Sequence, residues 1–164
     1  GCYNCHSQMI RPIRAETARY GDYSKAGEFV YDHPFQFGSK RTGPDLHRIG
    51  GKYPDLWHYN HMLDPRSTTA DSIMPSYNWL ITDTLDTSLT ATKVGAMRTL
   101  GVPYSDQDVD QALDSLRKQQ KKIGDSLRAD KIDGADDKEI VALIAYLQRL
   151  GTDTQVKAAA AASN

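Results

Sequence analysis

The chain has no long apolar run. Its longest, from Ile140 to Leu147, is eight residues, far below the roughly 20 that cross a bilayer. No basic start followed by an apolar stretch marks a leader. A dominant charge is missing as well. Twenty Lys and Arg stand against 21 Asp and Glu, for a net charge of -1. Neither the part up to Arg66 nor the remainder is a strong polyion, so nothing points to nucleic acid. Cysteine is scarce: Cys2 and Cys5 are the only two. A zinc site wants four ligands. With no second CxxC, zinc would have to draw on His58 and His61, a candidate helical pair. That reading stays open at a disadvantage. So does a thioredoxin-like redox pair, which needs a βαβ setting that the residues after His6 do not offer.

What is present suits one globular domain with a core: 164 residues, 39% hydrophobic and 25% charged. The two cysteines sit in Cys2-Tyr3-Asn4-Cys5-His6. Two thiols three positions apart on one turn can reach the two vinyl groups along one side of a porphyrin, and thioethers form there. His6 then stands under the iron. One covalent haem c therefore explains all three residues at once.

A second axial ligand must come from farther along the chain. The candidates are the four methionines, Met9, Met62, Met74 and Met97, and the other histidines, 33, 47, 58 and 61. Met9 is too near His6 to reach the other face. Met62 and Met97 fall in predicted helices, about Pro54 to Leu63 and Leu85 to Leu100, where core packing is the simpler role. Met74 precedes Pro75 between helical stretches. That position favours extended backbone, which suits a loop laid over a haem face. Met74 is preferred over a bis-histidine pair, with a core-capping loop methionine as the alternative. A ligating histidine usually gives its other N–H to an acceptor. Gly43-Pro44-Asp45-Leu46 is a place to look for one, though from the residues alone an ordinary turn is the favoured reading. Trp57, on the helix begun by Pro54, could reach a haem propionate through its N–H.

The stretch Gly21 to Thr42 reads as a long structured loop. Its aromatics, with Tyr20 before it, either wall a cofactor, face a partner or pack in the core: Tyr20, Tyr23, Tyr31, Phe35 and Phe37. Ser105 with Asp108 predicts a capping box and a helix to about Ala129, with Val109, Leu113, Leu116, Ile123 and Leu127 as its apolar stripe. The acidic run from Asp130 to Glu139 lacks the early ligands of a calcium loop and reads as solvated. A last helix, about Asp137 to Leu150, buries Ile140, Val141, Leu143, Ile144 and Leu147 and stops at Gly151.

The order CxxCH, Gly-Pro-x-Leu, loop Met-Pro, then a terminal helix with Ala145-Tyr146-Leu147 resembles a class I cytochrome c. More closely, Gly1-Cys2-Tyr3-Asn4-Cys5-His6-Ser7-Gln8-Met9-Ile10-Arg11-Pro12 resembles the mono-haem subunit (FixO/CcoO) of cbb3-type cytochrome c oxidases. So do Arg14-Ala15-Glu16-Thr17, the run from Gly27 to Gln36, the run from Gly38 to Leu46, and Met74-Pro75-Ser76-Tyr77-Asn78-Trp79-Leu80. The likeness is dense to about residue 82 and returns at Leu100-Gly101-Val102-Pro103-Tyr104 and in the last helix.

The resemblance implies a mainly α, class I cytochrome c fold with a long loop after the haem-binding helix. A mono-haem domain over 1–151 would carry a helical insertion at about 85–130, followed by a flexible tail, 152–164. It implies axial ligands His6 and Met74, and a hydrogen bond from His6 to the Pro44 carbonyl. It implies an electron relay, not itself an enzyme. Electrons would come from a donor cytochrome, often the di-haem subunit, and pass to the catalytic haem-copper subunit that reduces oxygen to water. The complex would lie in the bacterial inner membrane with this domain on the periplasmic side. An N-terminal membrane anchor and a short helix are expected upstream of Gly1. Without that helix, Ile144 and Leu147 would lack their packing partner. A free soluble electron shuttle is the alternative, and a peroxidase-like haem enzyme a weaker one, because Met74 would close the iron face.

Overall fold

The computed structural model describes residues 1–33 and 41–152, which are mainly helical, with no strand among them. The expected class of fold is therefore observed. Phe35, Phe37 and the tail expected from 152 onward, apart from Thr152 itself, lie outside the described residues. Among the described residues no helix is long and apolar enough to cross a membrane. The chain divides into two compact units. One comprises Gly1–Tyr53 and the chain from Tyr146 onward; the other is Pro54–Ala145 and includes the 85–130 segment.

The first unit opens with a 3-10 turn, Cys2–Asn4. Helix α1, Arg14–Tyr20, follows, and a second 3-10 turn forms at Ala26–Glu28. The end of the last helix belongs to this unit. Gln148 Nε2 donates to the Tyr53 carbonyl at 3.0 Å, and Gly50 N–H donates to the Leu150 carbonyl at 3.0 Å. Gly151 then ends the helix at φ +73°, as its type predicts. A Cβ there would lie 2.4 Å from the His47 carbonyl, so the close approach needs glycine as much as the dihedral does.

The second unit holds α2 (Asp55–Leu63), α3 (Pro65–Thr68), α4 (Trp79–Thr82), α5 (Thr90–Thr99), α6 (Asp106–Asp110) and α7 (Ala112–Ala129), and most of α8 (Glu139–Arg149). Its core joins Ile123 and Leu127 of α7 to Ala135 and to Ile140, Val141 and Ile144 of α8. Met62 of α2 and Leu80 and Ile81 of α4 pack against it. Each large side chain so buried contributes about 1.5–3 kcal/mol. Ile144 is 0% and Leu147 5% exposed. The chain's own residues thus cover the face expected to lack a partner.

Two element boundaries and one reading of solvation correct the sequence analysis. The helix predicted from Leu85 begins at Thr90. Leu85 N–H instead pairs with the Asp137 carbonyl at 2.8 Å, beside a bridge between Thr84 and Lys138, and Ser88 N–H closes a turn on Asp86 Oδ1. The helix predicted from Ser105 to Ala129 is two. The Ser105–Asp108 capping box forms, but Gln111, at φ -94° and ψ 7°, separates α6 from α7. The acidic run is only partly solvated. Ala135 is buried, and Asp136 pairs with Arg128.

Candidate functional site

The first unit brings Cys2, Cys5, His6 and Pro44 together. Cys5 N–H and His6 N–H both donate to the Cys2 carbonyl, at 3.1 and 2.9 Å. That local closure puts the two cysteines and His6 on one turn. Both thiols are free and exposed. His6 Nδ1 lies 2.7 Å from the Pro44 carbonyl. A carbonyl only accepts, so Nδ1 carries the proton and Nε2 keeps its lone pair. Proline leaves its carbonyl available for this bond. A Cβ on Gly43 would fall 2.2 Å from His6 Cε1, so the ring occupies the space that a side chain at Gly43 would fill. Two exposed thiols and an oriented imidazole with a bare Nε2, all on one turn, are a donor set that fits a covalent haem.

The backbone on both sides of His6 is tied to the segment from Arg41 to His47. Gly43 N–H donates to the Cys5 carbonyl at 2.7 Å, and Leu46 N–H to the Ser7 carbonyl at 2.9 Å. Asp45, whose side chain is fully buried, accepts from Ser7 Oγ at 2.6 Å, from Met9 N–H at 2.8 Å and from His47 N–H at 2.8 Å. Arg41 donates to Ser7 Oγ at 2.7 Å, to the Met9 carbonyl at 2.8 Å and to Glu16 Oε2 at 2.6 Å. Glu16, buried on α1, also accepts from the Arg11 N–H and side chain. The Arg41 bond, helped by Arg11, holds the Glu16 carboxyl down at about 2 against the opposing cost of burial. Ser7, Glu16, Arg41 and Asp45 were not singled out from sequence. Their partners lie up to 38 residues away, and no local pattern marks them.

Met74 and Trp57 belong to the second unit. Met74 lies half-buried in the non-helical segment 72–77 between α3 and α4, and its N–H donates to Ser72 Oγ at 3.2 Å. Trp57 on α2 stacks on His61, with ring centroids 4.6 Å apart. His61 Nδ1 is bonded to Thr68 Oγ1 at 2.6 Å. His58 is buried, and burial lowers its pKa. His47 is buried in the first unit beside Glu28 and Arg48. Ser24 Oγ accepts from Ile10 N–H at 2.7 Å and is hydrogen-bonded to His47 Nδ1 at 2.5 Å. Burial first, then the Arg48 charge, push His47 down. His33 is exposed. Among the described residues no group of three or more His, Cys, Asp and Glu is gathered as a metal site.

These features define a helical chain that offers two thiols and a proton-fixed imidazole on a single turn. The family described as cytochrome c oxidase, mono-heme subunit/FixO matches residues 1–154. The chain belongs to that family, and so to the mono-haem subunits of cytochrome c oxidase. No curated protein matches it.

Proposed function

We propose that this chain is the electron-relay subunit of a cbb3-type terminal oxidase. Cys2 and Cys5 would hold one haem c covalently, and His6 and Met74 would ligate its iron. The haem supplies one-electron redox chemistry when bound. Pro44 takes the His6 proton and so keeps Nε2 the ligating atom. Met74 would supply a soft thioether to the iron, and Trp57 would donate to a propionate. Electrons pass from the di-haem subunit or another donor cytochrome to the catalytic haem-copper subunit, where oxygen is reduced; this chain is not itself the catalyst. The domain stands on the periplasmic side of the bacterial inner membrane, held there by an anchor or by its partner subunits.

The observation that carries the reading is the His6–Pro44 bond beside two free thiols, in a chain of the mono-haem oxidase family. The test is to purify the native membrane complex, identify its chains and stain a denaturing gel for haem. The expected result is this chain, haem-stained, together with a haem-copper subunit. Recovery from the aqueous fraction alone, with haem but no oxidase chain, would favour the free shuttle instead.

A further inference from the structure

Resting on the haem reading above, we infer that Ser7, Arg41, Asp45 and Glu16 are positioning residues that set the reduction potential by fixing the His6–Pro44 hydrogen bond. Ser7 follows His6 directly, and its hydroxyl lies between Arg41 Nε and Asp45 Oδ2. Asp45 in turn follows Pro44, the acceptor. The donor residue and the acceptor residue of the His6 bond are thus each one peptide from the same buried hydrogen-bond pair. Arg41 spans Ser7, Met9 and Glu16 with two nitrogens, which a planar guanidinium can do and a lysine ammonium cannot. Glu16 orients that fork from α1, and it stays ionised across the working range because Arg41 binds it.

The consequence is electronic. A well-aligned Nδ1–H bond to a carbonyl raises the basicity of the ligating nitrogen. A more basic axial ligand favours ferric iron and lowers the potential. Loosening the clamp lets the His6 ring turn away from Pro44, weakens that bond and raises the potential. Charge alone cannot imitate this if the substitution conserves charge.

Arg41→Lys and Ser7→Ala both conserve charge. Each is made in the full chain within its oxidase complex, and the haem c potential is read by spectroelectrochemical titration alongside the low-spin ferric EPR signal. The expected result is covalent haem retained, the potential shifted upward, and the EPR signal displaced because the ring has rotated. Ser7→Ala removes one hydroxyl and no volume that the core needs, so it serves if Arg41→Lys does not assemble. A variant that keeps its covalent haem with the potential unchanged or lowered overturns the inference and leaves the haem reading standing. Absence of haem from the unsubstituted protein overturns the haem reading, and this inference with it.

Discussion

Gly43 is packed against the His6 imidazole so closely that a Cβ would meet Cε1 at 2.2 Å and Nδ1 at 2.6 Å. Both contacts are shorter than real Cβ atoms tolerate, and the ring's Nδ1 is held 2.7 Å from the Pro44 carbonyl. Gly43→Ala should therefore displace His6 and destabilise the fold by about 1–3 kcal/mol, the usual cost of overpacking. It should also lower the yield of haem-loaded protein. Gly27→Ala, where nothing lies within 4 Å, is the control. Thermal melting and haem absorbance per chain check both.

Haem attachment is tested at the thiols. Cys2 and Cys5 are the only cysteines, so replacing both by Ala should leave no covalent haem. A haem-stained denaturing gel that still shows a band for the double variant would sink the attachment reading.

Met74 is tested by what its loss opens. The unsubstituted protein should show the weak near-infrared sulfur-to-iron band. Met74→Ala should lose it and bind carbon monoxide when reduced, whereas Met74→His should stay low-spin with a lower potential. Met62 packs against the hydrophobic core. Met62→Leu, like Met9→Leu and Met97→Leu, should keep the band and cost less than about 1.5 kcal/mol. A band that survives in Met74→Ala sends the search back to the histidines 33, 47, 58 and 61.

The core of the second unit depends on α8. Ile144 is fully buried against Ile123 and Leu127, so Ile144→Ala should cost ~2–5 kcal/mol. Tyr146, two residues on, is 52% exposed, and Tyr146→Ala should cost under about 1 kcal/mol, chiefly its bond to Gln8. Denaturant melts of the two variants should differ accordingly.

Acid should act through Glu16. Its folded pKa, about 2, lies below the ordinary 4.5, so the native state holds the carboxylate more firmly than the unfolded chain does. The resulting stability is fully present above about pH 4.5 and is lost as pH falls toward 2. Glu16→Gln should flatten that part of the stability profile. It should also lower stability at neutral pH by about 2–3 kcal/mol, because Arg41 loses its closest ionic partner but keeps Ser7, Met9 and the Asp45 carboxylate 3.7 Å away. A profile with the same acid slope in the variant would rule Glu16 out as the source.

Local interactions were legible in the residues alone. The CxxCH turn closes on itself within five positions, the capping box at Ser105 spans four, and the apolar stripes of α7 and α8 repeat with the helical period. Such features need only nearest neighbours along the chain, so composition and spacing determine them. The Gly-Pro acceptor for His6 was visible as a place to look, but its bond joins residues 38 apart. The Glu16–Arg41–Ser7–Asp45 network left no mark of its own: its hydrogen bonds span 25 to 38 residues, and each member alone reads as an ordinary surface polar group. The same holds for the late start of α5, where pairing of Leu85 with Asp137 across the unit overrides helix propensity. Tertiary structure alone decided these features, because a buried ion pair or a distant backbone partner gains its energy from where the chain has folded back.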